Sequence, residues 1–222
     1  MLGLNGAGKT TFLKLILGFI YPSEGSIEIL GHAHLDPSIR RQIGYLPENP
    51  SLYTFLTVQQ LLSLCGQLYG LSRSNTRQRT QELLELLGAD AYANRRIGEL
   101  SKGMTQRLAI ASSLMATPEL VLLDEPLSGL DPVGRNLVKG LLQTLKKRGT
   151  TVFFSSHILL EVEQICDRVS ILHQGKLIHL EDMAAVRKRF ASLDDFFIES
   201  IQRPHEKPGR AHEPAGIIST NA

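Results

Sequence analysis

Short, continuously apolar runs alternate with helical periods along this chain, the pattern of an α/β protein with a mostly parallel sheet. Leu120-Val121-Leu122-Leu123 and Thr151-Val152-Phe153-Phe154 predict central strands, because a strand covered on both faces shows no polar side. Between them Asp131 reads as a helix cap with Pro132 at the first position. Apolar residues then recur at 137, 138, 141, 142 and 145 until Gly149 stops the helix. That makes one βαβ crossover. Val169–Leu172 and Lys176–Leu180 flank Gln174-Gly175, the signal of a tight hairpin. Ser26–Leu30 alternates and predicts a half-exposed strand.

From Thr57 onward the period changes. Thr57 and Gln60 form a capping box, and positions 61, 62, 65, 68 and 69 make one helical face ending at Gly70. A second helix ends near Gly88 and a third starts at Ser101, which predicts an inserted all-helical subdomain over about residues 53–115. The leucines at 83, 84, 86 and 87 read as core. Residues 1–202 then form a single domain. The stretch 203–222 is Pro, Gly, His and charge without period, and predicts a disordered tail.

Composition narrows the chemistry. The 222 residues are 42% hydrophobic and 21% charged, ordinary values for a folded chain. Lys and Arg number 24 against 22 Asp and Glu, a net charge of +2, so the whole molecule is no electrostatic binder of nucleic acid. Cys65 and Cys166 lie in apolar helical patterns without partners at metal or disulfide spacing, and read as small buried hydrophobes in a reducing compartment. No apolar run is long enough to span a bilayer; Lys14 interrupts the longest one near the start.

Gly3-Leu4-Asn5-Gly6-Ala7-Gly8-Lys9-Thr10 fits G-x-x-x-x-G-K-[ST] without a mismatch and runs into a helical pattern from Thr11. Glycines let consecutive N–H groups of the Asn5–Thr11 stretch turn toward phosphate oxygens, and the helix start adds its positive dipole end. Lys9 would reach the β and γ phosphates, and the Thr10 hydroxyl would help hold Mg²⁺. Asp124 and Glu125 end an apolar strand, where α/β sheets carry functional groups: Asp124 for Mg²⁺, Glu125 to orient or deprotonate the attacking water. Lys9 and Asp124 are farther apart than one βαβ unit requires, and the helical insertion accounts for the difference.

Further motifs in order resemble the ATP-binding cassette (ABC) ATPases that drive membrane transporters. Ile43-Gly44-Tyr45-Leu46-Pro47-Glu48 resembles the Q-loop region, with Glu48 where the family usually has Gln. Leu100-Ser101-Lys102-Gly103-Met104 resembles the family signature, Ser128-Gly129-Leu130-Asp131 the D-loop, and Ser155-Ser156-His157 the switch histidine. The resemblance runs from Gly3 to about Ser200 and implies a P-loop NTPase fold of ABC type. It further implies ATP and Mg²⁺ as ligands, Thr10, Glu48 and Asp124 at the metal, and Glu125 and His157 as catalytic residues. Ser101 and Gly103 would contact the γ-phosphate held by Lys9 of a second subunit, itself or a homologous ATPase, paired head to tail; Asp131 would link the two sites. The Leu46-Pro47-Glu48 run, Lys102, Met104 and Leu193–Phe197 resemble the exporter-type branch.

The function so implied is an ATP-hydrolysing subunit, peripheral on the cytoplasmic face of the plasma membrane, working with a separate permease. A soluble ABC ATPase acting on ribosomes or DNA, and a non-catalytic remnant, are the alternatives. Only Met1 and Leu2 precede Gly3, where the family has a whole strand and an adenine-stacking aromatic. The frame therefore reads as incomplete at its N-terminus, with weak ATP binding and aggregation expected.

Three features are given no catalytic part. His32-Ala33-His34 reads as a surface loop and Arg187-Lys188-Arg189 as a solvated helix face. Tyr53, Phe55 and Leu56 fit equally a docking surface for the permease and packing within the helical region.

Overall fold

The computed structural model describes residues Met1–Gln202; the expected tail over 203–222 lies outside the described residues. In chain order its elements are α1 (Lys9–Ile16), β1 (Glu28–Ile29), β2 (His32–Ala33) and β3 (Ile43–Leu46). Three helices follow, α2 (Val58–Leu68), α3 (Arg73–Leu86) and α4 (Lys102–Ser113), then β4 (Leu120–Asp124), α5 (Pro132–Lys147) and β5 (Thr151–Ser155). The described chain closes with α6 (Leu159–Ile165), β6 (Arg168–His173), β7 (Lys176–Asp182), α7 (Met183–Arg189) and α8 (Leu193–Gln202). Two compact units result, Met1–Pro37 with the chain from Phe154, and Ser38–Phe153.

In the Ser38–Phe153 unit, β3 pairs with β4 in parallel, from Ile43↔Leu120 to Leu46↔Leu123, in a sheet ordered β3-β4-β5. Every residue of β4 is buried, as its unbroken apolar run requires. The first three residues of β5 are only half-buried, so the expectation that this strand is covered on both faces holds for Phe154 and Ser155 alone. α5 buries Val138, Leu141, Leu142 and Leu145 along one stripe.

Each of the four α-helices of this unit begins with a side-chain cap. Thr57 accepts from the Gln60 N–H while Gln60 reaches back to the Thr57 N–H, the full capping box. Ser72, Ser101 and Asp131 accept from the N–H groups of Asn75, Met104 and Gly134. Removing one such oxygen leaves a helix donor without its partner. Thr57→Ala should therefore lower stability by about 1 kcal/mol, read as a shift in the denaturation midpoint; an unchanged midpoint would show that the cap contributes nothing.

Several predicted burials fail, each because tertiary packing decides which side of a helix is covered. Leu68, placed on the buried face of α2, is 76% exposed, since Leu61, Leu62 and Gly66 already fill the contact with the neighbouring helices. Cys65 and Cys166 are half-buried rather than enclosed. Leu83, Leu84 and Leu87 are core as expected, with Leu86 half-covered.

In the other unit, Leu2 forms parallel bridges to Ser156 on one side and Ile171 on the other. The Leu2 N–H donates to the Ser170 carbonyl (2.7 Å), and the Leu172 N–H donates to that of Leu2 (2.8 Å). β6 and β7 form the predicted antiparallel hairpin with a bulge at Ile171/Leu172. Gln174 and Gly175 both have positive φ, the requirement of a two-residue turn of this handedness. The Ser26–Leu30 strand shortens to Glu28–Ile29, because Leu30 and Gly31 turn the chain into β2. Phe196 of α8 is fully buried, with the rings of His179 and Phe190 against it.

His34 departs from the surface-loop expectation. It is buried, with its backbone N–H donating to the Ile27 carbonyl, while His32 is exposed beside Asp36. Arg187, Lys188 and Arg189 are exposed on α7, as a solvated face should be. Arg187 donates to the Glu163 carbonyl, and Arg189 pairs with Glu181 and covers the Phe190 ring.

Candidate functional site

The glycine loop is shaped by close approach on one side and backbone handedness on the other. A Cβ on Gly3 would lie 2.6 Å from the Leu172 carbonyl oxygen, so only hydrogen fits there. Gly6 and Gly8 have φ of 77° and 103°, which glycine adopts without strain. The Gly175 N–H donates to the Ala7 carbonyl (3.0 Å), so the hairpin tip braces the loop. Asn5 and Gly6 are exposed at its crest, Gly8 and Thr10 are half-buried, and Thr11 is exposed.

α1 starts at Lys9, two residues before the helical period was read, with Gly8 as its N-cap. As the cap of this helix, Gly8 has no side chain to offer the first N–H groups. Lys9 is 8% exposed, and its ammonium donates to the carbonyls of Gly3 (2.8 Å) and Leu4 (3.4 Å), inside the loop. A buried ammonium beside the N–H groups of a helix start has the chemistry to hold a polyphosphate. In the same unit the parallel bridge Leu2↔Ser156 puts Gly3 and His157 one step beyond a paired position on neighbouring segments. His157 is exposed there, after a turn in which Ser156 Oγ accepts from the Ile158 N–H.

The Ser38–Phe153 unit carries the remaining candidates. Asp124 and Glu125 are buried where β4 ends, and Glu48 is exposed two residues past β3. The parallel register Leu46↔Leu123 brings Glu48 and Glu125 out at the same carboxyl end. Glu125 has φ of 50°, a left-handed conformation costing a non-glycine residue about 1–3 kcal/mol. Pro126 follows it, and a residue before proline is kept out of the right-handed helical region. The Glu125 carbonyl accepts from the Ser128 N–H (3.1 Å), closing the turn toward Asp131.

Ser101, exposed, caps α4, and a Cβ added at Gly103 would lie 3.6 Å from the Gly129 carbonyl oxygen and from the Leu130 side chain. The Lys102 stem lies over Gly129, where a Cβ would stand 2.7 Å from Cε. Signature and D-loop residues are thus packed together. Asp131 itself spends one carboxylate oxygen on the Gly134 N–H (2.6 Å).

Sequence reasoning passed over two residues here. Tyr45 pairs with Leu122 and so shares a sheet face with Asp124; burial and the Asp124 charge push its phenol above the ordinary range, keeping it a neutral donor. Gln106 is buried on α4 within the spacing 106, 109, 110, 113, where an amide replaces an expected apolar residue, and that substitution in the period was its signal.

The Thr10 hydroxyl in one unit, and the Glu48 and Asp124 carboxylates in the other, are each of a donor type that Mg²⁺ prefers. Among the described residues no group of three or more His, Cys, Asp or Glu could hold a metal. Oxygen donors of these types suit Mg²⁺, which keeps several waters and takes one or two protein oxygens beside substrate phosphates.

A braced glycine loop with a buried lysine, in a chain whose buried parallel strand ends in carboxylates, defines the P-loop NTPase class. The sequence model of the family described as "ABC transporter" matches residues 1–128. An ABC transporter ATP-binding protein of Nostoc sp. (strain PCC 7120) is 50% identical over 181 residues, 80% of this chain and 54% of that protein. The ABC transporter ATP-binding protein NatA of Bacillus subtilis is 40% identical over 208 residues, 91% of this chain and 85% of NatA. A solved "ATP binding subunit of ABC transporter" superposes with a TM-score of 0.81 at 35% identity, covering 89% of this chain and 85% of that one. The chain belongs to the ABC transporter family, as its ATP-binding subunit type. It spans little more than half the length of the Nostoc relative.

Proposed function

We propose that residues 1–202 act as one ABC ATPase domain, with residues 53–115 as its helical subdomain, and that it hydrolyses ATP to drive transport through a separate permease. The observation that carries this reading is the loop Gly3–Thr10, with its left-handed glycines and its buried Lys9 ammonium. Its N–H groups and Lys9 hold the β and γ phosphates, with Asn5 to Thr11 as the binding stretch. By the order of the family motifs, Thr10, Glu48 and Asp124 would hold Mg²⁺, which when bound would offset charge on the phosphates. Glu125 takes the proton of the attacking water and His157 donates to the γ-phosphate. The assignment of these groups to one reaction rests on the order of the family motifs along the chain.

Two copies, or this chain and a homologous ATPase, pair head to tail so that Ser101 and Gly103 of one meet the γ-phosphate of the other, with Asp131 linking the sites. The experiment is ATP-dependent dimerisation, measured by sedimentation in a hydrolysis-deficient Glu125→Gln background. Ser101→Arg puts a bulky cation at the helix start and should abolish ATP-driven pairing while the monomer still folds. Dimerisation as strong as without the change would refute the composite site.

No helix among the described residues is long and apolar enough to cross a membrane, and we place the protein peripherally on the cytoplasmic face beside its permease. Tyr53 and Phe55 are 58% and 70% exposed with their rings against each other, which favours docking over packing within the helical region. They form the docking surface for the permease, with half-buried Leu56 behind them. Export is the direction favoured by Leu46-Pro47-Glu48, Lys102, Met104 and Leu193–Phe197; one relative, at 41% identity, is the bacitracin transport ATP-binding protein BcrA of Bacillus licheniformis.

A further inference from the structure

Glu125 stands in a conformation that its own backbone disfavours, on a turn beginning with a proline that has no N–H to donate. Something outside the turn has to hold it. Its carbonyl oxygen takes one bond from Ser128 within the turn, and a second donor comes from α4. The Gln106 amide Nε2 donates to the carbonyls of Glu125 (3.4 Å) and Pro126 (3.3 Å). Both bonds are long, as befits one NH₂ group spanning two successive carbonyls, each hydrogen serving one oxygen. Gln106 is 4% exposed, so no competing water is at hand and losing the amide would leave buried carbonyls short of donors.

We infer that Gln106 is a positioning residue for Glu125: by clamping the two peptide groups after the carboxylate, it fixes the direction in which the Glu125 side chain leaves the strand. This deepens the proposed ATPase reading and rests on Glu125 as the group that handles the water. It also joins two parts of that machinery, because the helix that holds Gln106 begins at Ser101, and the Lys102 stem lies on Gly129 of the turn that Glu125 opens. A shift of α4 is therefore passed through Gln106 to Glu125.

The test is Gln106→Met in the full chain, which keeps length and volume and removes both donor hydrogens. Maximal hydrolysis should fall roughly 10- to 100-fold, the scale of a misplaced catalytic group, while affinity for a fluorescent ATP analogue stays within about threefold. In single-turnover measurements on the Glu125→Gln background, adding Gln106→Met should cause no further loss, because a clamp acting through the carboxylate has nothing left to position. Amide hydrogen exchange at Ser128 should quicken in Gln106→Met without nucleotide, ahead of exchange in β4.

Wild-type turnover in Gln106→Met, a loss that multiplies with that of Glu125→Gln, or a parallel fall in nucleotide affinity would each overturn the inference. If Gln106→Met does not accumulate as folded protein, Gln106→Glu removes the same donors at the same length and is read the same way. Failure of the underlying reading looks different: Glu125→Gln would then itself hydrolyse ATP normally.

Discussion

Glu125→Gln is expected to lower steady-state ATP hydrolysis by about 10²- to 10⁴-fold, the usual range for removing a positioned base, while ATP binding stays within about threefold of the original. The amide has the shape of the carboxylate but no basic oxygen. The turn that positions it is unaffected, because the Glu125 and Pro126 carbonyls still take the Gln106 amide and the Ser128 N–H. The phosphate-holding groups, the Gly3–Thr10 loop and Lys9, are not touched by the change. Bound ATP should then persist and hold subunits together, visible as a nucleotide-dependent dimer in sedimentation. Turnover at the original rate would remove Glu125 from its proposed role.

Gly44→Ala should produce the largest loss of stability of any single methyl addition in the Ser38–Phe153 unit. The new Cβ would stand 2.2 Å from the carbonyl oxygen of Ser113 and 3.1 Å from the Pro118 ring. The obstruction is backbone at the end of α4, which cannot rotate away as a side chain can. Overpacking of this kind costs about 1–3 kcal/mol and more where backbone must move; we expect about 3 kcal/mol or above. Gly140→Ala is the control, since it lies exposed in α5 with nothing within 4 Å of its added methyl. It should stabilise the helix by about 0.5–1 kcal/mol. If the two substitutions shift the denaturation midpoint alike, the close approach of α4 to β3 is not what this structure describes.

Features with local causes were legible in the sequence. The Thr57 box, the Asp131 cap with Pro132, the Gln174-Gly175 turn and the wholly apolar β4 each follow from neighbouring residues, and each is found where the pattern put it. Burial decided by distant partners was not legible. Leu68 satisfies the helical period and still faces solvent, while His34 looks like loop and is enclosed. The turn within Gly3–Thr10 could be read because Gly6 and Gly8 take the left-handed backbone that glycine adopts without strain. Gln106 could not be assigned a task, because an amide inside an apolar period says that a buried acceptor exists without saying which. Glu125 carried a partial hint in the proline after it, but the sign of its φ is set by the turn as a whole.

The brace behind the phosphate loop also bears on how the protein is made. Gly3 rests against Leu172, Ala7 is held by Gly175, and the Met1 amine donates to the Phe154 carbonyl, 153 residues away. The loop leaves the ribosome long before the segments that shape it, Phe154 and Leu172 to Gly175. At a synthesis rate of about 5–20 residues per second, the nascent loop waits on the order of 10–30 s for its supports. During that interval its glycines are unconstrained and Leu2 and Leu13, both fully buried in the finished fold, lie open to chaperones. Nucleotide cannot help the Ser38–Phe153 unit to fold during translation, because the groups that grip phosphate acquire their form only after that unit is complete.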